Sequence, residues 1–181
     1  LTHFKPDFFP VTKMMMTKKV RLLGSVLQSE DKESKIPARG SGRVEKVYVK
    51  STGSFISVGD PVLELYSPQL ITAGEEYLIS YKSKQKDLLH QAKKKLKLWG
   101  IKDFQLKKWL RSGKIPRNIT IYSNSGGIVT KKNAIEGRYF KEGESFYDLV
   151  NLSTVWVEMD VYEHDSGLIK IGQEAHIEFV A

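Results

Sequence analysis

SGRVEKVYVKSTGSFISVGDPVLELY, residues Ser41–Tyr66, has a counterpart in SGGIVTKKNAIEGRYFKEGESFYDLV, residues Ser125–Val150. At a constant offset of 84 residues, Gly42 matches Gly126, Gly53 matches Gly137 and Gly59 matches Gly143, while Val44, Phe55 and Leu65 fall opposite Ile128, Tyr139 and Leu149. A glycine that returns at a fixed place between β-branched and aromatic runs marks a backbone position needing positive φ, so each copy reads as three short strands with two tight turns. Two copies this far apart do not make a stacked solenoid. The pattern predicts two half-sheets closing on one core. Val44, Val47, Val49, Phe55, Ile56, Val58, Val62, Leu63 and Leu65 supply one inner face, and Ile128, Val129, Tyr139, Phe140, Phe146, Tyr147, Leu149 and Val150 the other.

Between the copies the period changes from two to that of a helix. Ser67 can cap and Pro68 fits a first helical turn. Leu70, Ala73, Tyr77, Tyr81, Leu88, Ala92, Leu96 and Trp99 then form one apolar stripe. Gly100 stops it, Asp103 is placed to cap a second segment, and Phe104, Leu106, Trp109 and Leu110 keep helical spacing as far as Ser112-Gly113. One helix from Gln69 to Trp99 would be about 46 Å long, and the short return limb would barely close that distance. A turn near Ser83–Lys86 closes without strain, so a compact three-helix insert is expected rather than one tall hairpin.

The chain ends are different again. Leu1–Pro10 reads as an extended lead-in, Val11–Gln28 as one or two strands with a bend at Gly24, and Ser29–Lys35 as a polar connection. After Leu152, Val155, Val157, Met159 and Val161 alternate as a strand, Glu163–Leu168 turn, and Ala175, Ile177 and Phe179 form a last strand. With no partner in either half-motif, the two ends are expected to pair with each other as part of a β-barrel. The chain begins at Leu1 and stops within a strand-like run, and it reads as part of a longer precursor.

Composition limits the chemistry. With 181 residues and 40% hydrophobic content, the chain can bury an ordinary core. No cysteine is present, which removes disulfides and thiolate metal sites. No window approaches the roughly 18–20 apolar residues of a membrane span. The net charge of +8 is concentrated between Lys82 and Lys114, where twelve basic residues stand against Asp87 and Asp103. Such a run is either a solvated helix face or a docking surface for an acidic partner.

Met14, Met15 and Met16 are soft thioethers suited to Cu(I) or Ag(I), although in a strand only Met14 and Met16 would share a face. The same residues also read as core filler or strand edge. His3, His90, His164 and His176 show no ligand spacing, and Glu163-His164-Asp165 reads as an exposed turn. A nucleophile elbow, a phosphate-binding glycine loop and an ordered Ser/His/Asp set are all missing from the sequence, so no enzyme, catalytic residue or cofactor is expected.

The duplicated pattern resembles the two halves of a biotinyl-lipoyl domain, a small flattened β-sandwich. The Asp-Lys-Ala or Met-Lys-Met tripeptide of a carrier is missing. A sandwich split by a helical insert and flanked by strands of one barrel resembles the nested layout of periplasmic adaptor proteins, also called membrane fusion proteins. YSPQLITAGEEYL, LKLWGI, TIYSNSGGIVT and LSTVWVEMDVYEHD are similar to motifs of the CusB-type branch, with departures at Gly74, commonly Gln, and Asn124, commonly Pro.

The resemblance implies a mainly β chain with an α-helical insert. Its parts would be a partial β-barrel from residues 1–35 plus 152–181, a lipoyl-like β-sandwich from 36–66 plus 117–151, and the insert from 67–116. It implies a periplasmic, inner-membrane-associated adaptor that joins an inner-membrane resistance-nodulation-division (RND) transporter to a TolC-like outer-membrane channel. A homo-oligomeric ring and transient Cu(I) or Ag(I) complete the implied set, with Met14–Met16 as the candidate ligands. Lys82, Lys84, Lys86, Lys102, Lys107 and Lys108, placed around the tip of the insert, are the candidate docking residues for an acidic channel mouth. The second reading is a basic helical module that binds nucleic acid through lysines interleaved with Trp99, Phe104 and Trp109. Those aromatics continue the apolar stripe, so a core role is expected and nucleic acid is not counted among the partners.

Overall fold

The computed structural model describes residues 8–179, so the first part of the lead-in, with His3, and the end of the last expected strand lie outside the described residues. The elements are β1 (Gly24–Gln28), β2 (Glu33–Pro37), β3 (Gly42–Val47), β4 (Phe55–Ile56), β5 (Pro61–Tyr66), α1 (Pro68–Lys82), α2 (Lys86–Leu98) and α3 (Asp103–Ser112). They continue with β6 (Ile119–Tyr122), β7 (Gly127–Lys132), β8 (Tyr139–Phe140), β9 (Ser145–Val150), β10 (Val155–Met159) and α4 (Glu163–Ser166). The chain divides into a larger unit, Leu27–Trp156, and a smaller one made of the chain ends, up to Val26 and from Val157.

The larger unit holds two four-stranded sheets, ordered β2-β9-β7-β4 and β6-β5-β3-β8. Each sheet takes two strands from each half of the repeat, so neither half closes a core by itself. Val44, Ile56, Val62, Leu63 and Leu65 from the first half meet Val129, Phe140, Phe146, Tyr147 and Leu149 from the second, all buried. Four expected inner-face residues point outward: Ile128, half-buried beside the inward Val129, and three that are exposed. Phe55 is 70% exposed, Tyr139 is 74% exposed and Val58 is exposed as well. In the two-residue strands β4 and β8 alternation lets only one side chain face inward, and it is Ile56 and Phe140 that do so.

The structure also corrects the register of the repeat and lengthens it. Val44 pairs with Leu65 and Val129 with Leu149, so β3 and β7 correspond at 85 residues while the later strands keep 84. The hydrogen bonds agree. Gly137 N–H and Gly53 N–H donate to the carbonyls of Val44 and Val129, each at 2.8 Å. Gly42 therefore matches Gly127, not Gly126. A Cβ on Gly42 would overlap the carbonyl oxygen of Tyr66, and one on Gly127 would sit 2.6 Å from that of Val150.

The same offset adds a fourth strand to each half. Ala38 N–H bonds Glu144 O, and Ser123 N–H bonds Asp60 O, so β2 corresponds to β6. Residues Glu33–Lys35, read from sequence as part of a polar connection, belong to this strand and pair with β9.

The insert lies between β5 and β6 as three helices. Pro68 opens α1, and the chain reverses through Ser83–Gln85 with Lys84 at φ 55°. Gly100, at φ 89°, ends α2. Its N–H bonds Lys97 O and the next N–H, of Ile101, bonds Leu96 O, with Ile101 and Leu96 both buried. That is the Schellman arrangement, in which a left-handed glycine satisfies the last carbonyls. Asp103 does not cap α3, contrary to expectation. Lys102 holds the cap position, and Asp103 is the first helical residue, bridging Lys93 and Lys97 instead. Gly74 is needed for close approach, because a Cβ there would be 2.9 Å from Ile115 Cδ1 on the returning chain.

At the chain ends, β1 pairs with β10 in a two-stranded sheet, so the ends do associate. Only one strand forms on each side among the described residues. On the first side this satisfies the expectation of one or two strands between Val11 and Gln28, whereas the last strand expected at Ala175–Phe179 does not form among the described residues. Gly24 allows the two strands to approach, since a Cβ would lie 2.6 Å from Glu158 O. Lys18 Nζ meets Asp165 Oδ1 at 2.8 Å and, with that hydrogen bond as the main cause, holds the carboxyl below its ordinary range.

Candidate docking surface

The insert is fixed to the sandwich at its base. Arg39, in the loop after β2, donates from Nη1 to Leu98 O at the end of α2 at 2.8 Å. Gln105 is buried on α3, where its Oε1 accepts from Lys102 N–H at 3.0 Å and its Nε2 donates to Thr120 O on β6 at 2.9 Å. Phe104 packs edge-on against Tyr122, with centroids 5.0 Å apart, and Lys102 Nζ donates to Asn124 Oδ1. A cavity of about 170 Å³ remains at this junction, with Lys35 and Arg39 on its polar side and Trp99, Tyr122, Phe140 and Phe146 among its apolar walls.

The far end of the insert is the turn Ser83–Gln85, since α1 rises about 1.5 Å per residue away from β5. The structure separates the six candidate lysines. Lys82, Lys84 and Lys86 cluster at that turn, whereas Lys102, Lys107 and Lys108 belong to α3 or its cap, which is tied to the sandwich through Gln105, Phe104 and Lys102. Lys102 lies at the base because α2 runs back from the Ser83–Gln85 turn, so that Leu98 already meets Arg39 before the chain reaches Gly100.

Part of the charge is neutralised locally. Asp103 takes Lys93 at 3.2 Å and Lys97 at 2.8 Å, and those two hydrogen bonds hold its carboxyl below the usual range. Lys95 reaches Glu76 at 3.4 Å. The apolar stripe proves to be two. Leu70, Ala73 and Tyr77 of α1 and Ala92 and Leu96 of α2 are buried, while Tyr81 and Leu88, at the turn, are exposed. Trp109 is core at 3% exposure, Trp99 is half-buried, and Phe104 remains 52% exposed, so the expected core role fails for Phe104.

Met14, Met15 and Met16 lie outside regular structure and are exposed, Met15 completely. The core-filler reading is therefore wrong for them, and the shared strand face does not arise. Among the described residues no group of three or more His, Cys, Asp or Glu side chains could hold a metal ion. His164 Nε2 lies 3.1 Å from Asp165 and His176 Nε2 lies 3.7 Å from Glu178, both histidines being exposed. No helix among the described residues is long and apolar enough to cross a membrane. Arg39 and Gln105 were not singled out from sequence, and the only hint for Gln105 was a glutamine at the third position of a helix, where its side chain can reach back to the cap N–H.

A sandwich assembled from two interleaved halves, opened by a helical insert and entered from paired chain ends, defines the barrel-sandwich hybrid of membrane fusion proteins. The family model described as "CusB, barrel-sandwich hybrid domain" matches residues 34–149, most of the chain. The protein belongs to that family, the membrane fusion proteins. It is 22% identical over 165 residues to the cation efflux system protein CusB of Escherichia coli strain K12, a match covering 88% of this chain and 40% of that protein. It is also 22% identical over 161 residues to the putative membrane fusion protein SilB of Salmonella typhimurium, covering 88% and 37%. The chain thus spans about two fifths of the curated relatives it matches. Among solved structures, ZneB from Cupriavidus metallidurans shares the fold, with a TM-score of 0.50 and 18% identity over 83% of this chain and 73% of that one.

Proposed function

We propose that the protein is a periplasmic adaptor subunit of a tripartite heavy-metal cation efflux pump, with Cu(I) and Ag(I) as the exported ions. In this reading it performs no covalent chemistry. It joins an inner-membrane RND transporter to a TolC-like outer-membrane channel as one member of a homo-oligomeric ring. The observation that carries the reading is the insert. It is locked to the sandwich at one end and presents Lys82, Lys84 and Lys86, none with a carboxylate within 4 Å among the described residues, at the other. A rigid arm with a cationic end suits an acidic channel mouth. The cation assignment draws on the name of the CusB relative and on the YSPQLITAGEEYL resemblance.

The nucleic-acid reading is not favoured. Trp109 is buried and Trp99 half-buried, so neither offers a free face for base stacking. Exposed Met14–Met16 are the candidate soft ligands for the exported ion. Deleting the gene should sensitise its host to copper or silver, with resistance restored by the full-length protein. Co-purification of the channel should be lost with Lys82→Glu, Lys84→Glu and Lys86→Glu combined. Unchanged metal tolerance on deletion would sink the efflux role, and unchanged co-purification the role of the tip. Silver titration against the Met14→Ile, Met15→Ile, Met16→Ile variant should show reduced uptake, and equal uptake would remove those residues from the proposal.

A further inference from the structure

The twelve basic residues between Lys82 and Lys114 do not make one surface. With Lys93, Lys95 and Lys97 paired and Lys102 bonded to Asn124, the unpaired cations fall mainly into the tip group and a second group on α3 and its tail. That second group is Lys107, Lys108, Arg111 and Lys114. All four are exposed and none has a carboxylate within 4 Å among the described residues. On α3 the buried residues are Gln105, Leu106 and Trp109, which leaves Lys107, Lys108 and Arg111 together on the opposite, outward face at spacings of three and four, with Phe104, half-exposed where it packs on Tyr122, at its edge. The stripe thus combines three cations with one half-exposed ring.

We infer that this outward face of α3, with Lys114, is a second docking surface, and that its occupant is an acidic protein segment carrying an apolar residue among its carboxylates. Charge complementarity sets the sign of the partner. The rest of the helix sets its class. A membrane-surface helix must turn a broad apolar face to the lipid, and the apolar face of α3 is already buried against this protein. A single-strand nucleic-acid platform needs successive ring faces. Here only Phe104 is available, and it is held edge-on against Tyr122 at 5.0 Å. One ring flanked by cations at helical spacing instead fits an amphipathic acidic segment, with the ring as anchor and the charges as rim. The site is separate from the tip, and the inference does not depend on what the tip binds.

The test uses the full chain and three probes: a synthetic Asp/Glu-rich peptide containing one leucine, single-stranded DNA of matched charge, and phosphatidylcholine vesicles with phosphatidylglycerol at about 3:1. The peptide should bind with an affinity that falls as salt rises. Binding should weaken about tenfold or more in the Lys107→Glu, Lys108→Glu, Arg111→Glu variant, about threefold in Phe104→Ala, and less than about twofold in the tip triple variant. Far-UV circular dichroism and the melting midpoint check that the variants stay folded. Equal loss in the tip variant would show a diffuse charge effect and overturn the inference. Tighter binding of the DNA or of the vesicles than of the peptide would overturn the assignment of the partner.

Discussion

The two halves of the sandwich share one backbone and solve its problems with different side chains. In the first half the carbonyl of Val49 receives the hydroxyl of Tyr147 at 3.0 Å. At the equivalent place in the second half, the carbonyl of Ala134 receives Lys132 Nζ at 2.8 Å. The outer edges of the sheets differ in the same way. β2 is an end strand whose Glu33, Lys35 and Pro37 are exposed, and charge and proline blunt such an edge. β6, the matching strand, reads Ile-Thr-Ile-Tyr and has neither device. Its edge is covered by α3, with Gln105 bonded to Thr120 O. The comparison shows what the duplicated backbone demands, a donor at one carbonyl and protection of one edge, and what it leaves free.

The largest effect should come from the glycines that fix the correspondence. Ala at Gly42 or Gly127 would drive a Cβ into a strand carbonyl, which a flexible side chain cannot relieve. Each should cost about 4 kcal/mol or prevent folding. Ala at Gly126 meets nothing closer than 3.5 Å and should be nearly neutral in urea denaturation. If Gly126→Ala proved as damaging as Gly42→Ala, the 85-residue correspondence of β3 and β7 would be wrong.

Removing the cover from β6 comes next. Gln105→Leu fills similar space but leaves Lys102 N–H and Thr120 O without their side-chain partner, at a cost of about 2 kcal/mol. The urea midpoint should fall with an unchanged slope. A null result would mean that packing of Leu106 and Trp109 alone holds α3 on the strand.

The carbonyl donors should matter less and about equally. Tyr147→Phe and Lys132→Met each remove one hydrogen bond, at about 1 kcal/mol. Tyr147→Phe should also change the response to pH. Burial pushes the Tyr147 hydroxyl up to about 12. An unfolded tyrosine ionises near 10, so over that interval the folded state holds the proton that the unfolded state loses. The stabilisation is therefore complete below about pH 10 and disappears as pH climbs toward about 12. Tyr147→Phe should flatten that decline. A decline just as steep in the variant would assign it to other groups.

Much of this architecture was legible in the chain itself, because positive-φ glycines announce turns regardless of what surrounds them. Gly53, Gly59, Gly137 and Gly143 all sit where the repeat required, at φ between 81° and 93°. The helical limits at Pro68, Gly100 and Gly113 were legible for the same local reasons. The one-residue slip was not. Gly126 and Gly127 are adjacent, and only the packing of Gly127 against Val150 tells them apart. β2 was hidden because its exposed positions are Glu33, Lys35 and Pro37 and only Ile36 is buried. The docking surface was half legible. The charge run was plain, but its division between tip and base depends on how far α2 runs back from the Ser83–Gln85 turn, to where Leu98 meets Arg39.

The smallest effect tests whether the outward faces of the halves are interchangeable. Arg43 on β3 lies across from Tyr139, and Ile128 on β7 lies across from Phe55 in the matching place. Arg43 adds a bond that Ile128 cannot make, from Nε and Nη2 to Glu45 Oε1 at 2.8 and 2.6 Å. Both partners of that pair keep solvent contact, so the attraction is screened and its benefit is offset by the side-chain freedom lost in making it. Arg43→Ile, which copies the second half into the first, should lower the melting midpoint slightly in dilute buffer and not at all in concentrated salt. A large loss that persists in salt would mean that the arginine stem packs on the Tyr139 ring, and that the first half depends on its outward face in a way the second does not.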